Sequence, residues 1–404
     1  MRGGANLAHV GQYNENAVFH ALRRLGPSSQ TEIAEHTGLS LQTVSVIVKN
    51  LASRGYLSEL RTESVGRGRP RVIMDIVGSA RFAVGIHVDP AVMTTVALDL
   101  RGSVVASASS DDVDPDDPAA AMGVATDLVR GLYSSPDVSA ERVIGACLAV
   151  PGPIDATSES IVETVWLPGW TGYPLGHALE RGLGMRVPLV KDTFAAVIGE
   201  NWVRARSSLD STMVFVYLGM GTGVGLSLNG EPVTGYSGNA GEVGRMLLAL
   251  GSRRRGAIDG LDNDPAVLVE SAHERRVLPG PAPARIDFPA IDRNFRELCA
   301  MAADGHSEAR AIMDEAAGRI AEMAVMTTEL FDADTLVFGG PYWDSVQPWY
   351  EPVALAALAQ PSARGPHPVT LVSTVMGRDV GAIGAASVVL DSRYVPRAPG
   401  SRRK

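Results

Sequence analysis

Cysteine is scarce in this 404-residue chain: Cys147 and Cys299 stand far apart, without companion spacing. That excludes a disulfide framework and a cysteine-based zinc site as organising features. No stretch reaches the ~18 uninterrupted apolar residues of a membrane span, and residues 1–16 hold no apolar run long enough for a signal peptide. An overall basic charge is lacking too, the formal net charge being −9. What is present is ordinary for globular proteins, with 45 % hydrophobic and 20 % charged residues. The expectation is a soluble, cytoplasmic protein of two or three domains, with no membrane contact. Its 43 glycines and 25 prolines favour tight turns over long coiled coils.

The negative charge is unevenly spread. Residues 1–76 carry nine Lys/Arg against six Asp/Glu, leaving +3, so the rest of the chain carries −12. A small basic module on a large acidic body suits a DNA reader joined to something that does not touch DNA.

Local signals in the module agree. Asn14 to Arg24 reads as a helix with Val18, Leu22 and Leu25 on one face. Ser29 and Glu32 then have the spacing of a capping box, opening a short helix that ends at Thr37-Gly38. Gly38 supplies the positive φ of a sharp inter-helix turn. Ser40 caps the next helix, where Leu41, Val44, Val48 and Leu51 form an apolar stripe. Its other face offers Gln42, Thr43, Ser45, Lys49 and Asn50, side chains suited to base edges and phosphates. After Gly55-Tyr56-Leu57 come two strands around a basic tip, Gly66 to Arg71, in which Arg67, Arg69 and Arg71 suit a minor groove. Helix, turn, polar-faced helix and basic wing in that order predict a winged helix-turn-helix over 1–77.

Beyond residue 77 strands and helices alternate, predicting α/β lobes over 78–200 and 201–391 and a basic disordered tail over 392–404. Phe82–Ile86, Val96–Leu100 and Val104–Ala106 read as a strand meander, Pro118–Tyr133 as a helix, and Val143–Val150 as a buried strand. Ser307–Leu330 reads as a helix whose Ile312, Ala316, Ile320, Ala324 and Thr327 make a core or dimer face. Pro279 to Pro289 reads as a Pro/Ala-rich linker.

Several motifs follow in order: Pro151-Gly152-Pro153-Ile154-Asp155, Leu167-Pro168-Gly169-Trp170, Asp192 ahead of Gly199-Glu200, and the glycine run Gly219 to Gly225. They continue with Gly238 to Gly244, Leu336 to Gly340 and Val380 to Ala386. Together they resemble the ROK family of sugar kinases and repressors, which implies an actin-like two-lobed fold over nearly the whole chain. The N-terminal winged helix resembles that family's repressor branch.

The resemblance also marks departures. Family kinases carry Asp-x-Gly-Gly-Thr after the first strand, where backbone amides face the phosphates. Here the matching place reads His87-Val88-Asp89-Pro90-Ala91. Pro90 removes an amide donor and Asp89 puts a negative charge where a polyphosphate would lie. The Gly221-Thr222-Gly223 turn survives, which its turn geometry alone explains. The family's sugar-site Asn-Asp pair is Lys191-Asp192, with Asp192 expected to be held ionised by its neighbour. The Asn expected before Leu-Pro-Gly-Trp is Trp166, Glu242 is kept, and the metal-binding His that follows it is Arg245. The loop that in relatives supplies three zinc cysteines has none; it contains Arg253-Arg254-Arg255, a solvated run, and Asp259, where relatives show a sugar-binding Glu.

The resemblance therefore implies a homodimeric regulator, with a tetramer left open, that binds a double-stranded operator near carbohydrate-related genes. Its remodelled pocket of Trp166, Lys191, Asp192, Glu242, Arg245 and Asp259 would take a sugar or sugar derivative. Catalysis, ATP and zinc are all expected to be absent. Two alternatives stay open: an active sugar kinase with an accessory DNA module, and a ligand-independent DNA-binding dimer with a scaffold body.

Overall fold

Capping chemistry sets the first helices. The computed structural model describes residues 7–63, 70–162, 164, 166–204, 211–250, 263–360 and 367–397. Helix α1 (Leu7–Leu25) begins earlier than Asn14, because no proline interrupts residues 7–13. Strand β1 (Ser28–Ser29) leads into α2 (Gln30–Thr37), where Ser29 Oγ accepts from Glu32 N and Glu32 returns a bond of 2.7 Å to Ser29 N. Gly38, at φ +70°, turns the chain into α3 (Leu41–Ser53), capped by Ser40. Strands β2 (Leu57–Glu63) and β3 (Arg71–Ile76) pair antiparallel and join β1 in a three-stranded sheet.

The body contains two sheets of the same plan. The first is built from β4 (Phe82–Asp89), β5 (Val92–Asp99), β6 (Val104–Ser110), β7 (Val143–Val150) and, after the short hairpin β8 (Ile154–Asp155) and β9 (Ser160–Ile161), β10 (Leu189–Lys191). The second uses β11 (Met213–Leu218), β12 (Thr222–Leu228), β13 (Glu231–Pro232), β14 (Thr335–Gly339) and β15 (Thr370–Ser373). Counting strands within each sheet, both run third, second, first, fourth, fifth, with the last two parallel to the first. Strands β4 and β11 are buried along their whole length, as central strands covered on both faces must be.

Helix α4 (Pro118–Leu132) covers the first sheet, α5 (Leu175–Leu183) packs on α4, and α6 (Asp192–Val203) follows β10 directly. Helices α7 (Gly244–Leu250), α8 (Pro265–Glu274), α9 (Phe288–Ala303), α10 (Ser307–Leu330) and α11 (Trp343–Leu358) belong to the second lobe. The last helix, α12 (Val380–Tyr394), returns to the first lobe and packs on β4, β7 and α6. Close approach requires glycine here: a Cβ on Gly85 of β4 would lie 1.9 Å from the Ala382 carbonyl oxygen.

Four expectations change. Residues 380–391 belong with the first lobe, because α12 buries its small face on β4. The tail at 392 is helical through Tyr394, Arg397 pairs with Asp391, and Asn16 donates 3.2 Å to the Arg393 carbonyl. The α10 stripe of Ile312, Ala316, Ile320, Ala324 and Thr327 is buried within the chain and so is core rather than a dimer face. Pro289 lies in the first turn of α9, where its missing N–H costs nothing, so the linker ends before it.

The reader's core does not stop at the reader. Val18, Phe19, Leu22, Val44 and Tyr56 share one apolar cluster with Trp202, Ala386 and Tyr394 of the body. Phe19 and Tyr394 rings lie 4.7 Å apart, and the Arg23 guanidinium stacks 3.9 Å over Trp202 while donating to its carbonyl.

Candidate functional site

The face expected to read DNA lies on α3. Val44, Val48 and Leu51 bury one side, while Gln42, Ser45, Lys49 and Asn50 are exposed on the other. Thr43 is half-buried, its amide donating to Ser40 Oγ at 3.1 Å and its hydroxyl 2.8 Å from the same oxygen. Leu41 departs from the expected stripe: it falls in the first turn, ahead of the buried positions, and is 53 % exposed. Val46, which residue-type reasoning passed over, is 65 % exposed. Exposed apolar side chains between polar ones on such a helix match the thymine methyl of the major groove. Arg71 opens β3, exposed, paired in register with Glu63. Arg67 and Arg69 of the wing lie outside the described residues.

Between the lobes lies a cavity of about 310 Å³. From the first lobe come the end of β4 (Asp89-Pro90), the Pro151–Pro153 turn, Trp166, and the β10–α6 junction with Lys191, Asp192 and Thr193. From the second come Tyr217, the Gly219–Gly223 turn, Glu242 and Asp264. Of the expected pocket residues, Trp166, Lys191, Asp192 and Glu242 meet here. Arg245, one residue into α7, is exposed and not part of the lining, because α7 turns it outward. Asp259 and Arg253–Arg255 lie outside the described residues. Asp264, Thr193 and Tyr217 were not anticipated; a buried Asp ahead of Pro265 reads in sequence only as a helix start.

The electrostatics also differ from expectation. Lys191 ends β10 in extended geometry and Asp192 begins the helix, so their side chains diverge. The buried Lys191 ammonium pairs with Glu242 at 2.5 Å and donates 3.3 Å to the Ala240 carbonyl. Asp192 is therefore not held ionised. Burial pushes its carboxyl up to about 7, outweighing the nearby Lys191 charge and the Thr193 amide. Asp89, also buried, accepts from Ala91 N at 3.1 Å and, across the cleft, from Met220 N at 3.2 Å. Burial raises it to about 6 against those two amides. Beside it, His87 Nε2 lies 3.1 Å from Tyr217 Oη. Two polar contacts thus tie β4 to β11 and to the turn that follows it, across the floor of the cleft.

The glycine run owes its form to packing rather than to turn geometry alone. A Cβ at Gly223 would lie 2.6 Å from Thr193 Cγ2, and one at Gly225 2.5 Å from the Thr193 carbonyl oxygen. Helix α6 lies directly on β12 at these positions.

A pH prediction follows. Asp192 has a folded value of about 7 against 3.8 for the free side chain, so its stability contribution is full below pH 3.8 and lost as pH rises through 7. The loss is on the order of 4 kcal/mol, at ~1.4 kcal/mol per unit. His87, lowered to about 4 by burial, works oppositely and loses its contribution as pH falls below 6.5. Comparing Asp192→Asn with the parent isolates the first effect. The variant should be the more stable at pH 8, with the gap closing towards pH 4 in denaturant titrations. Equal stability at pH 8 would contradict the burial argument.

Comparison with known proteins matches residues 124–392 to the ROK family and residues 14–68 to the MarR family of DNA-binding proteins. A transcriptional regulator of Mycobacterium tuberculosis is 26 % identical over 407 residues, covering 98 % of this chain and 89 % of its own. The N-acetylglucosamine repressor of Escherichia coli is 24 % identical, covering 83 % and 82 %. Among solved structures, a ROK family transcriptional regulator, a homologue of the E. coli MLC protein, superposes with a TM-score of 0.73 at 18 % identity over 96 % of this chain and 98 % of that one. A ROK family glucokinase from Streptomyces griseus, in complex with glucose and AMPPNP, gives 0.60 at 19 % identity, over 76 % and 98 %. Among the described residues, no helix is long and apolar enough to cross a membrane.

Proposed function

The chain belongs to the ROK family, and from that premise we propose a homodimeric, sugar-responsive repressor whose body has given up phosphoryl transfer. It is a DNA-binding transcriptional regulator of the carbohydrate-related type. Each α3 enters a major groove and each wing a flanking minor groove, on half-sites a helical turn or more apart.

One observation carries the loss of catalysis. Asp89 stands where family kinases offer amides to phosphate, and its carboxylate already holds the Met220 amide. A phosphate oxyanion brought to ~4 Å from it meets a repulsion of about 4 kcal/mol at an effective dielectric of 20. The residues thus do not fit a nucleotide. Arg245 in place of a histidine, with no cysteine in the following loop, does not fit zinc either.

The inter-lobe cavity takes a neutral sugar or sugar derivative, with Asp192 and Glu242 accepting from hydroxyls and Trp166 as an apolar wall. A signal then has a short path. Helix α6 starts at Asp192 in the cavity and in its last turn carries Trp202, whose carbonyl accepts from Arg23 of the reader. A second reading rests on Lys191: its pairing with Glu242 partly fills the sugar side, as suits a scaffold that binds no ligand.

Thermal unfolding against sugars, sugar phosphates and Mg-ATP separates these readings. At 100 times its dissociation constant a ligand adds about 2.7 kcal/mol. A shift with one neutral sugar supports the sensor, a shift with Mg-ATP revives the kinase, and no shift favours the scaffold.

A further inference from the structure

A second cavity, of about 180 Å³, opens where the reader meets the body, between the ends of α1, α6 and α12 and the β12–β13 turn. Along α6 it lies about 15 Å from Asp192, at 1.5 Å per residue. Hydrogen-bonding capacity here is unspent. Arg23 is buried to 9 % exposure, yet its Nε has no partner. Arg24, the next residue, is half-buried and makes no hydrogen bond or ion pair among the described residues. Asn201 gives its amide to Ser227 Oγ and the Gly230 carbonyl, leaving Oδ1 buried without a partner.

The other charged groups around the cavity are accounted for. His20 is lowered to about 3, first by burial and then by Arg23 and Arg24, so it is neutral. Its Nε2, 3.3 Å from Arg23 Nη2, serves as the acceptor of that contact. Asp391 is held by Arg397. Glu231 stands exposed at the start of β13. Among the described residues, the Arg24 guanidinium is therefore the unpaired cation at the cavity, with the buried Arg23 charge beside it. Guanidinium forks bind planar and tetrahedral oxyanions better than they bind neutral groups.

We propose that this junction is a binding site for a small-molecule oxyanion, a phosphate or a carboxylate, received by Arg24 with the Arg23 charge beside it. The inter-lobe cavity has the opposite character, since among the described residues Asp89, Asp192, Glu242 and Asp264 are four carboxyl groups lining it with one ammonium, Lys191. The site does not depend on the sugar reading. Its walls come from α1 of the reader and from α6 and α12 of the body, so an occupant braces the reader against both. By linkage, operator binding then alters the oxyanion's affinity by the same factor as the oxyanion alters the operator's.

The test is calorimetric titration of the full chain with inorganic phosphate and with acetate, ionic strength balanced by chloride. One saturable event per chain is expected with at least one probe. Tighter phosphate assigns a phosphate ester, and tighter acetate a carboxylate ligand. Arg24→Gln should weaken that event about tenfold or more while leaving the unliganded unfolding midpoint unchanged. Heats that never saturate, or a variant that binds both probes as the parent does, would overturn the site. So would an Arg24→Gln protein that loses operator affinity in phosphate-free buffer yet still binds phosphate normally, because Arg24 would then be a DNA contact.

Discussion

Alanine at both Gln42 and Ser45 should cost operator affinity about a hundredfold, on the order of 3 kcal/mol, and leave binding to unrelated duplexes unchanged. Both side chains are exposed on α3 and hold nothing in the fold. A loss confined to the specific sequence therefore reports base readout rather than unfolding. Lys49→Ala supplies the contrast: a phosphate contact weakens all duplexes alike and lowers the salt slope by about one. Fluorescence anisotropy at fixed salt, on a duplex selected from a random pool by the parent protein, measures both. Equal losses on selected and unrelated DNA would remove α3 from the major groove.

Gly85→Ala should be among the most damaging single methyl additions in the body. Its Cβ would stand 1.9 Å from the Ala382 carbonyl oxygen and 2.5 Å from the Ala386 amide nitrogen. These are backbone atoms within α12, which cannot step aside singly. Either the helix lifts from β4 or the strand bows, costing about 3 kcal/mol or more. The unfolding midpoint should fall by about 5–10 °C. Helix α12 also carries Tyr394, which packs on Phe19 and Tyr56 of the reader. DNA binding should weaken along with stability, although Gly85 lies in the body. A midpoint within a degree of the parent would show that α12 does not bear on β4 as described.

The reader was legible because its signals are local. Ser29 and Glu32 are three residues apart, Gly38 and Ser40 flank one turn, and both caps form as their spacing dictates. The body's order of elements was legible from its motifs, and four of six expected pocket residues do meet. What escaped is non-local. Lys191 and Asp192 are neighbours in sequence, but a strand-to-helix junction separates their side chains, so Lys191 finds Glu242 instead. Helix α12 gives no local sign that it returns to the first lobe, and the contact between Arg23 and the Trp202 carbonyl spans 179 residues of sequence. In sequence, Asp89 is only a charge set against phosphate. Its bond to Met220 N depends on the second lobe closing over it.

Under the proposed function, occupancy of the inter-lobe cavity is felt by the reader through α6. The most direct measurement is operator affinity at fixed salt, with and without the sugar that stabilises the body. Coupling of 1–3 kcal/mol changes affinity about 5- to 150-fold, and Asp192→Asn should shrink that change. A sugar that binds the body and leaves operator affinity unaltered would contradict the account.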